Sequence, residues 1–124
     1  MTDKNGVLII DDDTRNIFAL NLILKSKGYN VVSATDAKKG IILLQENKHI
    51  GIVLLDMMMP EMDGYQALQK MREMNDIKKL PIIAVTAQAM EGDREKCLNA
   101  GASDYISKPI NVDKLEVVLK KYLI

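Results

Sequence analysis

Four short, largely apolar runs in this sequence each lead into a polar side chain. In chain order, these polar ends are Asp11-Asp12-Asp13 after 7–10, Asp56 after 52–55, Thr86 after 82–85 and Lys108 after 105–107. Short, continuously apolar runs are typical of strands covered on both faces, as in a parallel sheet. Because parallel strands end at one edge of a sheet, we expect carboxylates, a hydroxyl and an ammonium group to gather there.

A helical pattern follows each of these runs and also follows a fifth run that starts near Val31. Strictly alternating strands and helices with short connections predict an α/β fold with helices on both faces of a parallel sheet. The common arrangement is a flavodoxin-like, doubly wound, five-stranded parallel sheet in the order 2-1-3-4-5 with five helices. In that order strands 1 and 3 are neighbours, so the acidic residues that follow them should meet.

Local signals predict where the helices begin, end and face the core. We expect helices to be capped or ended by Asp13 or Thr14, Gly28, Asp36, Gly101 and Asn111. Helical spacing predicts that the first helix faces inward with Ile17, Leu20 and Leu24. It predicts the same for Tyr65, Leu68 and Met71 in the third helix.

Composition narrows the possible classes of function. The 124 residues suffice for one domain, placed at 1–124, with no internal repeat or linker. Because 17 basic and 17 acidic residues cancel, direct binding to nucleic acid or to an anionic membrane is not expected. No apolar stretch approaches the about 18 residues that span a bilayer. The single Cys97 and the polar start of the chain predict a cytoplasmic location.

The residue types at the predicted sheet edge suit phosphoryl chemistry. Converging carboxylates repel one another unless they are protonated or a cation neutralises them, and Mg²⁺ is a hard ion that prefers oxygen ligands. Asp56 can act as a nucleophile toward phosphorus, Lys108 adds positive charge, and the Thr86 hydroxyl can reach a phosphoryl oxygen. Each residue alone has an ordinary explanation as a cap, loop or turn residue. Their shared edge favours a functional site.

Together these motifs resemble the receiver domain of two-component response regulators. The matching segments are Asp11-Asp12, Asp56-Met57-Met58-Met59-Pro60-Glu61-Met62-Asp63-Gly64, Thr86-Ala87, Ala100-Gly101-Ala102-Ser103-Asp104-Tyr105 and Lys108-Pro109. The resemblance covers essentially the whole chain, and the combination of motifs is highly specific. It implies a signalling phosphoacceptor that promotes only its own phosphorylation and dephosphorylation, and not an enzyme.

The resemblance implies specific roles for the acidic residues. Asp56 would be the phosphoacceptor, taking a phosphoryl group from a phosphohistidine on a partner protein. Asp12 would ligate Mg²⁺ directly, Asp11 would act largely through water, and Met58 would contribute its backbone carbonyl. We also hypothesise that the apolar Met58 side chain hinders the water that hydrolyses the acyl phosphate, because it cannot position that water.

The resemblance further implies a switch. Lys108 would contact the phosphoryl group and Thr86 would close on it, while the aromatic Tyr105 turns inward. The peptide bond before Pro109 would be cis, as is typical of the family. The surface from the fourth helix through the fifth strand to the fifth helix, about 88–121, would then change.

Other classes of protein would require different residues at this site. An enzyme of the haloacid-dehalogenase class carries a second aspartate where this chain has Met58, and a flavodoxin-type flavin carrier would not place Asp11-Asp12-Asp13 beside a phosphate. A degenerate receiver would have lost the acceptor or an acidic partner.

Two receiver types remain open, namely a stand-alone regulator and a module of a hybrid histidine kinase. Segments 55–60 and 86–89 look most similar to hybrid-kinase receivers.

The expected partner is a sensor histidine kinase or a histidine phosphotransfer protein. In a hybrid kinase the phosphotransfer protein would dock on the first helix, around Arg15 to Phe18. The expected assembly is a monomer or a weak, phosphorylation-dependent dimer. The methionines at 57, 58, 59 and 62 crowd the loop beside Asp56, where they would either adapt to several partners or fill gaps under the loop.

Overall fold

The computed structural model describes residues 5–59, 64–74, 77, 79–87 and 92–123. Within these residues strands and helices alternate along the chain. They are β1 (Gly6–Ile10), α1 (Thr14–Ser26), β2 (Asn30–Ala34), α2 (Ala37–Glu46), β3 (Ile50–Asp56), α3 (Gly64–Arg72), β4 (Ile82–Thr86), α4 (Asp93–Asn99), β5 (Asp104–Ser107) and α5 (Val112–Tyr122). This alternation confirms the predicted α/β class.

The strands form one parallel sheet in the order β2-β1-β3-β4-β5, as predicted. β1, β3 and β4 are buried along their whole length, which explains why their sequences are continuously apolar. Ile10 at the end of β1 pairs with Leu55 of β3, so the residues that follow these two strands emerge side by side. The acidic residues are therefore delivered to one edge of the sheet.

Two apolar cores lie on opposite faces of the sheet, because successive strand residues point to opposite sides. Helices α2, α3 and α4 cover one face, where the buried helix residues are Ala37, Ile41, Leu44, Ala67, Leu68, Met71 and Cys97. Helices α1 and α5 cover the other face, where they are Ile17, Leu20, Leu24, Leu115 and Leu119. The inward face predicted for the first helix is confirmed.

Helix ends follow the predicted capping residues. Side-chain oxygens of Asp13, Asp36 and Asn111 accept hydrogen bonds from the backbone at the starts of α1, α2 and α5. Between the two candidates for the first cap, the structure selects Asp13, whose carboxylate accepts from the backbone N–H of Arg15 at 3.0 Å. Gly28, with φ +92°, lies just beyond α1 as predicted.

Of the residues predicted to face inward from the third helix, Leu68 and Met71 are buried, whereas Tyr65 is only half-buried and packs against the same core. Its ring packs along the edge between α3 and α4. The Tyr65 hydroxyl lies 3.6 Å from Sγ of Cys97, and the ammonium of Lys96 lies 4.5 Å from the ring centroid. The hydroxyl thus has a polar partner in the buried Cys97 thiol, while the ring lies at the margin of the core.

Candidate functional site

Three carboxylates meet at the carboxyl edge of the sheet. Asp11 and Asp12 directly follow β1, and Asp56 is the last residue of β3. One oxygen from each lies within 4.8 Å of the others. Asp11 and Asp56 are buried, with 2% and 3% of their surface exposed, whereas Asp12 is exposed. The cluster therefore combines two desolvated carboxylates with one that opens to solvent.

Lys108 brings a positive charge to this cluster from β5. Its Nζ lies 3.4 Å from Oδ2 of Asp11 and 3.7 Å from Oδ2 of Asp56. The backbone N–H of Lys108 donates to the carbonyl of Thr86 at 2.7 Å, which ties the end of β5 to the end of β4. The peptide bond between Lys108 and Pro109 is cis, as the resemblance implies.

The loop after β3 orients the Asp56 carboxylate. The backbone N–H of Met58 donates to Oδ1 of Asp56 at 3.0 Å, while Oδ2 faces Lys108. This loop passes closely under the start of α3, since a Cβ on Gly64 would collide with Cα of Met57 and would lie 2.9 Å from the carbonyl oxygen of Asp56. Only glycine allows the backbones to approach this closely.

The environment of Asp56 disfavours its charged form. The pKa of Asp56 is raised from 3.8 to about 6, mainly by burial and in part by the neighbouring Asp11 carboxylate. The Met58 N–H bond and the charge of Lys108 oppose this shift. A cation placed among the carboxylates would favour their ionised forms.

The donor set fits Mg²⁺. All three side chains offer hard oxygen atoms that lie within 4.8 Å of one another, so one small cation can bind among them with water completing its shell. Lys108 is the only cationic side chain for which the described residues show ion pairs with this cluster. One ammonium does not balance three ionised carboxylates, so a divalent cation suits the remaining charge.

Asp11 has a further partner that the sequence analysis did not identify. The side-chain amide of Asn16 donates to Oδ2 of Asp11 at 2.6 Å, and the backbone N–H of Asp13 donates to Oδ1 at 2.9 Å. Asn16 lies in the first turn of α1. Its position five residues after Asp11, just inside a helix that starts at the site, is the signal that could have identified it.

Thr86 and Tyr105 lie on the neighbouring strands. Thr86 is buried at the end of β4, where it pairs with Ser107, and its strand neighbour Val85 pairs with Asp56. Tyr105 is half-buried and packs against the core beneath α3 and α4. The structure thus places Thr86 at the predicted edge and Tyr105 two residues deeper in β5.

The methionines of the loop after β3 divide into two kinds. Met57 and Met59 are buried in the core, whereas Met58 is 53% exposed beside the acidic cluster. Gap filling is therefore correct for the first two, and among the described methionines of this loop Met58 alone offers an adaptable surface. Predicted motif residues at 60–63 and 88–89 lie outside the described residues.

The arrangement matches a known family. The family model of the response regulator receiver domain matches residues 7–120. The chain belongs to the response regulator receiver domain family. It is thus a receiver domain of two-component signalling, and the flavodoxin-like fold predicted from the sequence is that of its structural relatives.

Known relatives of this receiver domain include long and short proteins. It is 38% identical over 119 residues to hybrid signal transduction histidine kinase I of Dictyostelium discoideum, a match that covers 91% of this chain but 7% of the kinase. It is 31% identical over 118 residues to the polar-differentiation response regulator DivK of Brucella ovis, covering 95% of both chains. The chain thus resembles both a kinase module and a regulator of about its own length.

A solved structure gives a closer view of the site. The receiver domain of sensor histidine kinase PA1611 from Pseudomonas aeruginosa PAO1 superposes with a TM-score of 0.86 at 32% identity, covering 96% of this chain and 97% of that one. That structure holds a magnesium ion coordinated in its active site cleft.

Proposed function

We propose that Asp56 is the phosphoacceptor of this receiver domain. The observation that carries the proposal is the buried Asp56 carboxylate, which lies in one cluster with Asp11 and Asp12 and 3.7 Å from the Lys108 ammonium. A carboxylate in this setting can attack phosphorus while neighbouring groups offset the charge of the incoming phosphoryl group.

We propose that the same cluster holds Mg²⁺. The carboxylates of Asp12 and Asp56 and the backbone carbonyl of Met58 would be direct ligands, and Asp11 would act largely through water. The ion supplies positive charge that stabilises phosphoryl oxygens during transfer. The acidic oxygens within 4.8 Å of one another support this assignment, as does the magnesium ion in the related PA1611 receiver.

In the proposed transfer, a carboxylate oxygen of Asp56 forms a bond to phosphorus as the phosphorus–nitrogen bond of a partner's phosphohistidine breaks. The electron pair of the broken bond stays on the imidazole. Lys108, already near both buried carboxylates, contacts the phosphoryl oxygens. The Met58 N–H keeps the Asp56 carboxylate in a fixed direction during attack. The domain promotes only its own phosphorylation and dephosphorylation.

Phosphorylation would change the surface formed by α4, β5 and α5. The hydroxyl of Thr86 would close on the phosphoryl group, and Tyr105 would turn inward from its half-buried position. The backbone hydrogen bond between Lys108 and Thr86 couples the ends of the two strands involved. The phosphoryl group acts by favouring one of two arrangements of these elements.

The proposed partner is a sensor histidine kinase or a histidine phosphotransfer protein in the cytoplasm. Arg15 and Phe18 are exposed on α1, the helix that begins after Asp11 and Asp12, with Phe18 67% exposed, and would contribute to docking. The identity of 38% to a hybrid kinase favours phosphotransfer within a hybrid system. Among the described residues, no helix combines the length and apolar character needed to cross a bilayer.

The proposed phosphoacceptor function predicts covalent modification by a small phosphodonor. Incubation with Mg²⁺ and acetyl phosphate should add about 80 Da, the mass of one phosphoryl group, in intact mass spectrometry. Chelation of the metal before addition of the donor should suppress the gain. A chain that keeps its mass in the presence of Mg²⁺ would contradict the proposal.

The exposed side chain of Met58 should set the lifetime of the phosphorylated state. Met58→Asn introduces a polar group that can position the hydrolytic water, so we expect dephosphorylation to become at least about threefold faster. Met58→Leu keeps an apolar side chain and serves as the matched control. Dephosphorylation followed by intact mass after removal of the donor measures both rates. An Asn variant within twofold of the wild type would refute the hypothesis.

A further inference from the structure

Asn16 is the one neutral side chain that the described residues show bonded to the acidic cluster. Its amide donates to Oδ2 of Asp11 at 2.6 Å, which is shorter than the 3.4 Å between the same oxygen and Nζ of Lys108. The other oxygen of Asp11 accepts from the backbone N–H of Asp13. Protein donors therefore hold both oxygens of this buried carboxylate.

The placement of Asn16 follows from the start of α1. The carboxylate of Asp13 caps the helix, so that Asn16 falls in the first turn and is half-buried against the end of β1. A short hydrogen bond from a side chain anchored on a helix restricts the rotation of the Asp11 carboxylate. Such second partners orient metal-binding carboxylates and tune their affinity.

Asn16 also affects the position of Lys108. The ammonium lies between two buried carboxylates, 3.4 Å from Asp11 and 3.7 Å from Asp56. If Oδ2 of Asp11 lacked the amide donor, Lys108 would be its remaining side-chain partner among the described residues and would be drawn toward it. The amide of Asn16 shares this oxygen and leaves Lys108 within reach of Asp56.

We propose that Asn16 is a positioning residue for the phosphorylation site. It holds Asp11 in the direction that suits a divalent cation, and it limits the attraction of Asp11 for Lys108. This inference rests on the proposed function, because it assigns Asn16 a role in metal binding at the same cluster. Beyond that function, Asn16 would be a determinant of the metal affinity although it lies outside the acidic set.

The test is the affinity of the unphosphorylated protein for Mg²⁺, measured by calorimetric titration. Asn16→Ala removes the amide, and Asn16→Leu replaces it with an apolar group of nearly the same shape. We expect both variants to bind Mg²⁺ about tenfold more weakly than the wild type. The leucine variant separates hydrogen bonding from space filling, since a residue that only fills space would be restored by leucine.

Asn21→Ala is the matched control, because it makes the same change one and a half turns along α1. The Oδ1 atom of Asn21 is buried and has no hydrogen-bond partner in the described part of the chain. We expect this variant to bind Mg²⁺ as the wild type does. An equal loss in Asn21→Ala, or a leucine variant within twofold of the wild type, would overturn the inference.

Phosphorylation rates separate this inference from the proposed function. At a Mg²⁺ concentration below the dissociation constant, modification of Asn16→Leu by acetyl phosphate should slow by about the same factor as its affinity falls. A wild-type protein that binds Mg²⁺ but gains no mass would contradict the phosphoacceptor proposal, and the titrations would still decide the role of Asn16. A wild-type protein that binds no Mg²⁺ would overturn both.

Discussion

Asp56→Asn should abolish phosphoryl uptake from acetyl phosphate. Asparagine keeps the size of the side chain and the acceptor oxygen for the Met58 N–H, but its amide is not a nucleophile toward phosphorus. We expect no gain of mass under conditions that modify the wild type fully. Because Asp113 is an exposed aspartate on α5, Asp113→Asn is the control for loss of one negative charge and should be modified normally. Modification of Asp56→Asn at the wild-type rate would exclude Asp56 as the acceptor.

The same substitution should stabilise the metal-free protein. Burial raises the pKa of Asp56 from 3.8 to about 6, so the folded state disfavours the ionised carboxylate relative to the unfolded state. This penalty is absent when the pH is well below 3.8, and it grows as the pH rises from 3.8 to about 6. At higher pH it stays constant. Asparagine does not titrate and escapes the penalty.

Above pH 7 we therefore expect Asp56→Asn to raise the free energy of unfolding by up to about 3 kcal/mol in the presence of a chelator. The gain should shrink as the pH falls through the range between the two pKa values. Chemical denaturation at several pH values measures this difference. A gain that does not depend on pH would show that ionisation of Asp56 is not its cause.

Loss of Arg72 should strongly destabilise the fold. Its guanidinium donates from Nε to the carbonyl of Gly101 at 2.8 Å and from Nη1 to the carbonyl of Leu80 at 2.7 Å. Weaker bonds reach the carbonyl of Ile77 and the hydroxyl of Ser103, each at 3.3 Å. One side chain at the end of α3 thus joins the segments that precede β4 and β5.

Arg72→Met keeps much of the apolar stem but leaves these oxygen atoms without their charged donor. We expect the free energy of unfolding to fall by about 3 to 5 kcal/mol, because bonds to charged groups are strong and partly buried acceptors would lose them. Arg72→Lys should recover only part of the loss, since an ammonium cannot reproduce the planar fork of guanidinium donors. Urea denaturation gives each value.

Arg94→Met provides the control for this experiment. Arg94 is exposed on α4, so the same substitution there should change the free energy of unfolding by less than about 0.5 kcal/mol. If Arg72→Met were no more destabilising than Arg94→Met, the hydrogen-bond network would not be a stabilising element. The network also depends on Gly101, whose φ of +116° and closeness to Cγ of Arg72, 3.0 Å from an added Cβ, disfavour any side chain.

Local patterns were reliable wherever a strand or a helix is defined by its own residues. The apolar run of β3 ends at Asp56, and Asp36 caps α2, both as predicted from neighbours in the sequence. Tyr65 shows the limit of such patterns, because helical spacing does not reveal that its hydroxyl lies beside Cys97 and its ring beneath the Lys96 ammonium, both from α4. The periodicity of a helix specifies an inward face, but the packing of its neighbours decides which residue at the boundary is buried.

The missed contacts share one physical origin. Asn16 and Arg72 are polar residues in helices, where most such side chains are solvated, so their residue type does not distinguish them. The position of Asn16 just inside the helix that follows Asp11 is the one local signal, and Arg72 has no comparable one. Their partners are set by where a helix end meets a strand end or a loop from a distant part of the chain. For Arg72 the acceptors include Gly101 and Ser103, which are about thirty positions away.

The sequence by itself determined the alternation of strands and helices, the order of the sheet and the edge at which Asp11, Asp12, Asp56 and Lys108 meet. It could do so because strand burial and helix capping are written in short stretches of chain, and because parallel connections restrict topology. The tertiary structure decided the distances within the cluster, the burial that raises the pKa of Asp56 and the partner of Asp11 on α1. These properties depend on how closely strand ends, loops and helices pack against one another, and only the folded arrangement specifies that packing.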